Sequence, residues 1–142
     1  MEDGISSYTI ASRKDALEFA PTNTTVRNLT ISGSEITDEV LRLLTGKVKK
    51  IIGTLTIEGT VITNTEGFFD VVSVEGDIIF RNNTPGNGYD AIFSNGLRFY
   101  EKINGDLIID NTPIKFWGKG SSFAQIKEIA GDFRILNNPY QG

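Results

Sequence analysis

Three aspartates at nearly even spacing are the residues of this chain best suited to chemistry. Asp77, Asp106 and Asp132 each follow a glycine and precede a large apolar residue. If the segments around them are parallel strands paired in register, their carboxylates stack about 4.8 Å apart. Carboxylate oxygens are ligands that calcium prefers, and a carboxylate pair can hydrolyse glycosidic bonds. The aspartate column is therefore a candidate metal site or catalytic site.

A structural role is the alternative for the same aspartates. An aspartate at the start of a strand can accept hydrogen bonds from backbone N–H groups of the neighbouring turn. Calcium usually takes six or more oxygen ligands, which is more than a flat column supplies. A glycosidase needs its acid and a second carboxylate to flank the bond that it breaks. We favour the capping role and keep the other two roles as alternatives.

The chain contains no cysteine and no histidine. Disulfides, thiol nucleophiles and thiolate metal sites are thereby excluded. The lack of histidine excludes imidazole as a general base and as a metal ligand. Most hydrolase mechanisms and the familiar zinc sites are ruled out, and we expect neither an enzyme nor a cofactor.

The charge and hydropathy of the chain limit the kinds of partner that it is expected to bind. The 142 residues carry 14 basic and 18 acidic side chains, for a net charge of −4, with no run of lysines and arginines. Nucleic acid and anionic lipid are bound through such basic patches, so neither is an expected partner. No apolar run is long enough to span a bilayer, so we expect no membrane insertion by this domain. No signal peptide is recognisable after Met1, which fits either a cytoplasmic protein or a segment of a longer one.

Five segments share one pattern, in which two large apolar residues stand two positions apart. The first apolar residues of successive copies are separated by 26, 23, 29 and 26 positions. Because side chains alternate along a strand, each pair is expected to point into the core. The five pairs are Leu29/Ile31, Leu55/Ile57, Ile78/Phe80, Leu107/Ile109 and Phe133/Ile135.

A unit of 23 to 29 residues is typical of solenoids, in which one strand per turn stacks on the next. We therefore predict a single mostly β domain with short helices, a right-handed parallel β-solenoid of about five repeats. Residues 1–22 form an N-terminal helical cap, with Ser12 as the helix N-cap, and residues 23–142 form the repeats. A second short helix is expected between Ile36 and Leu44.

The fifth strand is predicted to have no return segment after it. Residues 133–136 would then be an unprotected sheet edge, which natural proteins usually avoid. We expect that the chain is a fragment of a longer protein whose next domain covers this edge. The alternative is a dimer formed through the same edge.

The repeats resemble the receptor L-domain-like and leucine-rich-repeat-like proteins of bacterial cell surfaces. The resemblance rests on Leu29-Thr30-Ile31-Ser32-Gly33, on Leu55-Thr56-Ile57-Glu58-Gly59, and on the Gly-Asp-apolar-x-apolar units that begin at Gly76, Gly105 and Gly131. It extends over roughly Tyr8 to Asn138. It implies a right-handed parallel solenoid, an extracytoplasmic location at the cell surface or in secreted form, and a binding or adhesive role. The resemblance implies no catalytic residues.

The outward positions of the strands supply candidate binding residues. Ile79 and Ile108 are expected to be exposed apolar neighbours, with Arg134 next in the same column. They could centre a binding patch, or another segment could cover them. Arg81 stands between two acidic residues in the adjacent column, where alternating charges favour a structural role.

Aromatic residues in the segments between strands are further candidates. Tyr89 lies in the 84–95 segment, which we predict to be a protruding loop because proline, glycine and asparagine cluster there. Trp117 stands two positions after Lys115 and directly before the glycine-rich residues 118–120, so we expect it to be partly exposed. Exposed aromatic side chains can stack on sugars or anchor protein partners.

Two functional hypotheses follow. The first is a non-catalytic binding or spacer module of a bacterial surface or secreted protein. It would recognise a protein or a glycan through the sheet face or the 84–95 loop. The second is a β-helix enzyme that acts on polysaccharide through the aspartate column.

Overall fold

The structure is a computed structural model, and it describes residues 5–19, 24–63, 73–86, 102–113 and 128–137. This part of the chain is mostly β, with two short helices. The helices are α1 (Arg13–Glu18) and α2 (Asp38–Leu43). The strands are β1 (Tyr8–Ile10), β2 (Thr24–Val26), β3 (Leu29–Ser32), β4 (Val48–Ile51), β5 (Leu55–Glu58), β6 (Ser73–Val74), β7 (Ile78–Arg81), β8 (Lys102–Ile103), β9 (Leu107–Asp110), β10 (Glu128–Ile129) and β11 (Phe133–Leu136).

The strands form three parallel sheets. The largest has six strands in the order β1-β3-β5-β7-β9-β11, so every second strand of the chain joins it. A three-stranded sheet has the order β2-β4-β6, and β8 pairs with β10. In the six-stranded sheet Leu29, Leu55, Ile78, Leu107 and Phe133 are directly aligned. The spacing of the sequence repeat therefore sets the register of this sheet.

The core lies on the inward face of the six-stranded sheet. Both inward-facing apolar residues of β3, β5, β7 and β9 are at most 2% exposed, as the alternation predicts. For β11 the prediction of burial is wrong for Phe133, which is 48% exposed, whereas Ile135 is partly buried and packs against the core. Among the described residues β11 pairs with β9 alone. Within the described ranges no second strand flanks Phe133, whereas the equivalent side chains of β3, β5, β7 and β9 lie between two strands.

Both described helices are capped at their N-terminus, as predicted for Ser12. Ser12 Oγ accepts a hydrogen bond from the Asp15 N–H, 3.1 Å away, at the start of α1. Thr37 Oγ1 does the same for the Val40 N–H at the start of α2, at 3.3 Å. Such side-chain acceptors satisfy backbone donors that have no partner within the helix. Neither described helix is long and apolar enough to cross a membrane.

Candidate functional site

The outward face of the six-stranded sheet, here called the open face, carries three columns of side chains. The first precedes the strands and consists of Asn28, Thr54, Asp77, Asp106 and Asp132. The second is Thr9, Thr30, Thr56, Ile79, Ile108 and Arg134, and the third is Ser32, Glu58, Arg81, Asp110 and Leu136. The parallel register brings the sequence-predicted candidates of the sheet together on this one face.

The aspartates of the first column hold the chain's own backbone. Asp77 Oδ1 accepts a hydrogen bond from the Asp106 N–H at 2.8 Å. Asp106 Oδ1 accepts one from the Asp132 N–H at 2.7 Å. The predicted capping role is therefore confirmed for Asp77 and Asp106. One oxygen of each of these two carboxylates therefore accepts a hydrogen bond from the backbone of the next unit.

Asn28 performs the same task without a charge. Its Oδ1 accepts a hydrogen bond from the Thr54 N–H at 2.8 Å. In the order of the six-stranded sheet, Asn28 stands two strands before Asp77, the first aspartate. The position thus requires a short side chain with a carbonyl-type oxygen, which both Asn and Asp provide. Because an amide suffices at this position, the hydrogen bonds of Asp77 and Asp106 account for their place in the fold without a bound cation.

A column of glycines lies directly beside these acceptors. A Cβ added at Gly105 would lie 2.6 Å from the carbonyl carbon and oxygen of Gly76, and it would collide with Asp77 Oδ1. At Gly131 it would lie 2.8 Å from the carbonyl group of Gly105 and collide with Asp106 Oδ1. Successive strands therefore approach each other so closely that a side chain has no room. This contact explains why a glycine precedes each of these aspartates.

Two observations bear on a metal or catalytic role of the aspartate column. Asp132 Oδ2 accepts a hydrogen bond from Arg134 Nη2 at 3.1 Å. In the described ranges no group of three acidic side chains is arranged to hold a metal ion. The carboxylates stand on the open face, where nothing in the described chain places a second acid opposite them.

A shallow depression of about 310 Å³ beside α2 also contains acids, among residues Thr37, Asp38, Glu39, Arg42, Val61 and Gly86. The Asp38 carboxylate accepts hydrogen bonds from the N–H and the hydroxyl of Thr63. Glu39 pairs with Arg13 at 3.2 Å. Both carboxylates are thus engaged in contacts within the fold.

Ile79 and Ile108 lie at the centre of the open face. They are aligned with each other on β7 and β9, and both are partly exposed, as predicted. Thr56 precedes them and Arg134 follows them in the same column. The result is a small apolar strip within a polar surface.

The third column forms a ladder of alternating charge. Arg81 lies 3.9 Å from a carboxylate oxygen of Glu58 and 3.9 Å from one of Asp110. These ion pairs are long and partly exposed, so each contributes at most about 0.5 kcal/mol. Asp110 Oδ1 also accepts a hydrogen bond from Asn137 Nδ2 at 3.2 Å. The ladder has the structural role that the charge alternation predicts.

The turns after β3, β5, β7, β9 and β11 each contain a residue with a left-handed backbone. Gly33 and Gly59 have φ of 106° and 66°, and Asn82, Asn111 and Asn137 have φ of 54°, 45° and 54°. Asn111 Nδ2 donates a hydrogen bond to Asn82 Oδ1 at 3.0 Å. Glycine and asparagine tolerate this conformation better than other residues.

Substitution of Asn111 tests this turn. We expect Asn111→Ala to lower the free energy of unfolding by about 1–2 kcal/mol, because alanine is strained at positive φ. Asn111→Gly removes the same side chain without the strain and should cost less than half as much. Urea unfolding of both variants measures the difference. Equal losses would show that the side-chain hydrogen bond, and not the backbone conformation, accounts for the effect.

A buried polar network links three successive turns, and the sequence analysis missed it. Asn83 is 2% exposed. Its Oδ1 accepts hydrogen bonds from the N–H and the hydroxyl of Thr60, at 3.0 and 2.7 Å. Its Nδ2 donates to the Ile57 carbonyl at 3.0 Å and to Thr112 Oγ1 at 3.1 Å. The sequence does contain a signal for this network. In three consecutive units the residue directly after the left-handed position is a Thr or an Asn, namely Thr60, Asn83 and Thr112.

Two of the predicted binding residues cannot be placed. Tyr89 and Trp117 lie outside the described residues, as does the 84–95 segment beyond Gly86. The described candidates for a binding site are therefore those of the open face.

Comparisons of this chain with protein-family models, with curated protein sequences and with solved structures found no match.

Proposed function

We propose that this chain is a right-handed parallel β-solenoid of the L-domain and leucine-rich-repeat-like type, with about five repeats. The in-register order of β1, β3, β5, β7, β9 and β11 supports it, as each unit contributes one strand to the same sheet. The second parallel sheet, formed by β2, β4 and β6, lies between those strands in the sequence. Crossover connections between parallel strands are right-handed in almost all proteins, which favours that hand.

We further propose that the chain is a non-catalytic binding module that recognises its partner through the open face. The observation that carries this proposal is the partly exposed strip of Ile79 and Ile108 on a parallel sheet paired in register. Its neighbours in the flanking columns are polar or charged, including Asp106 and Arg81. An apolar centre with a polar rim is typical of protein interfaces.

A protein partner fits the open face better than a glycan does. Sugar rings are usually held by aromatic platforms, and the three columns of the open face contain no aromatic residue. Isoleucine side chains instead pack well against the apolar side chains of another protein. If no partner uses the face, the remaining role is that of a spacer. By its resemblance to cell-surface proteins, we place the module outside the cytoplasm, at the surface or secreted.

Paired affinity capture tests the proposed face. Wild-type protein, the double variant Ile79→Lys/Ile108→Lys, and the control Thr9→Lys would be immobilised and exposed to an extract of the source cells. Thr9 is exposed at the far end of the same column. We expect a protein that wild type and the control retain, and that the double variant binds at least tenfold less. Thermal unfolding should show that all three remain folded.

Two outcomes would contradict the proposal. One is a retained protein that the double variant binds as strongly as wild type does. The other is that no protein is retained while a glycan array gives a signal that the double variant loses, which would assign the face to a sugar ligand.

A further inference from the structure

The connection between β8 and β9 contains an asparagine followed directly by a glycine, Asn104 and Gly105. Asn104 is exposed, and Gly105 is half-buried. Packing requires the glycine, because an added Cβ at this position would lie 2.6 Å from the carbonyl oxygen of Gly76. The fold therefore places an exposed side-chain amide next to a residue that must lack a side chain.

The other units do not share this combination. The residues that precede the equivalent glycines are Ile52, Glu75 and Ala130, and none of them has a side-chain amide. Their N–H groups donate hydrogen bonds to carbonyl groups of the preceding unit, at 3.0, 2.8 and 2.8 Å. Within the described ranges the N–H of Asn104 forms no such bond, and β8 pairs there with β10 alone. The backbone is therefore held less firmly at Asn104 than at the equivalent positions.

The backbone nitrogen of Gly105 is also free of hydrogen bonds among the described residues. The equivalent N–H groups of Gly53 and Gly131 donate to backbone carbonyl groups at 2.6 and 3.0 Å. A nitrogen without such a bond can approach the neighbouring side chain of Asn104 at no cost in hydrogen bonding. Glycine also has no side chain to obstruct the approach, and its backbone is the least restricted of all residues.

We propose that Asn104 is a site of spontaneous modification, at which the backbone nitrogen of Gly105 attacks the side-chain carbonyl carbon Cγ. The new N–Cγ bond closes a five-membered succinimide ring. The Cγ–Nδ2 bond breaks, and ammonia leaves with the proton of the Gly105 N–H. Water then opens the ring. Opening at the Cγ carbonyl gives aspartate, and opening at the main-chain carbonyl gives isoaspartate, in which the main chain passes through Cβ and Cγ.

Isoaspartate at position 104 would lengthen the main chain by one methylene group where two units are in close contact. Gly105 lies against Gly76, and the N–H of the next residue, Asp106, donates to Asp77 Oδ1 at 2.8 Å. The extra main-chain atom would displace Gly105 from this contact or break the hydrogen bond, so the pairing of β9 with β7 would weaken. The modification is therefore a slow loss of stability that originates in this unit. It does not depend on the proposed role of the open face.

Ageing of the folded protein at mildly alkaline pH, followed by tryptic digestion and mass spectrometry, measures the modification. Trypsin releases residues 103–115, which contain both Asn104 and Asn111. Asn111 is exposed as well but precedes Thr112, whose branched side chain hinders ring closure, so it is the internal control. We expect isoaspartate to form about tenfold faster at Asn104 than at Asn111. Equal rates at the two positions, or no isoaspartate at Asn104, would overturn the proposal.

The variant Asn104→Gln tests the consequence for stability. Its longer side chain would have to close a six-membered ring, which forms much more slowly. The two other Asn-Gly dipeptides of the chain, at 87–88 and 95–96, remain in this variant, so modification there affects both proteins equally. After ageing, we expect the melting temperature of wild type to fall by about 5 °C or more, and that of the variant by less than half as much.

The variant Asn104→Asp separates the two products. It introduces the aspartate product without the extra main-chain atom, so before ageing it should melt within about 2 °C of fresh wild type. Equal changes in aged wild type and aged Asn104→Gln, whether large or absent, would overturn the proposal. It would also be overturned if fresh Asn104→Asp were as unstable as aged wild type, because the added methylene group would then not be the cause.

Discussion

Replacement of Gly105 by alanine is expected to lower the free energy of unfolding by about 3 kcal/mol or more. The added methyl group would meet the Gly76 carbonyl group at 2.6 Å, which is backbone and cannot move aside as a flexible side chain could. It would also displace Asp77 Oδ1, which accepts the hydrogen bond of the neighbouring Asp106 N–H. Strands β7 and β9 would have to separate, which strains every unit stacked beyond them.

Urea unfolding measures this loss, and Gly86→Ala is the matched control. At Gly86 an added Cβ makes only ordinary contacts, 3.4 Å from the Val61 carbonyl oxygen and 3.7 Å from its Cβ. The control should therefore change the free energy of unfolding by less than about 0.5 kcal/mol. If Gly105→Ala is as mild as Gly86→Ala, the close approach of successive units is not what selects glycine in this column.

The change Asn83→Ala is expected to cost about 4 kcal/mol. Alanine would leave the Thr60 N–H, the Thr60 hydroxyl and the Ile57 carbonyl without the partners that Asn83 supplies. Each buried polar group that loses its partner costs about 1–3 kcal/mol, and the vacated volume adds to the loss. The expected consequence is a fall of more than 10 °C in the melting temperature.

The neighbouring residue provides the control for Asn83. Asn82 has the same side chain but is exposed, and its left-handed backbone suits glycine. Asn82→Gly should therefore cost less than about 1 kcal/mol, the value of one exposed hydrogen bond with Asn111. A similar loss in both variants, measured by thermal unfolding, would contradict the account of the network as a buried and fully bonded unit.

Much of the large sheet could be predicted from the sequence because its signals are local and repeated. The alternation at Leu29/Ile31 recurs in four further copies, and each copy adds to the same prediction of strand and register. The glycine and the acceptor before each strand are also fixed positions within the unit. The capping role of Asp77 and Asp106 could therefore be inferred from residue type and position.

Other features depend on neighbours that the pattern does not contain. Phe133 has the residue type of a core position, but its burial requires a strand on its second side. Asn83 follows a left-handed turn, where strand alternation ends, so the pattern does not tell whether its side chain points inward. The ion pair of Asp132 with Arg134 likewise depends on side-chain conformations that spacing does not set.

The proposed solenoid makes a prediction that deletion of one whole unit tests directly. Removal of residues 55–77 joins Thr54 to Ile78 and takes out one period of 23 residues. Because the units of a solenoid contact only their neighbours, β7 should then pair with β3 in the register now held by β5. The shortened chain should keep a β-type circular dichroism spectrum and a cooperative unfolding transition, at lower stability than wild type.

Deletion of residues 55–65 is the control, because it removes β5 without removing a complete unit. Circular dichroism and thermal unfolding of the two shortened chains test the central claim most directly. The account predicts a folded chain for the whole-unit deletion and an unfolded chain for the partial deletion. Loss of cooperative unfolding in both chains would contradict the claim that the protein is built from stacked, interchangeable units.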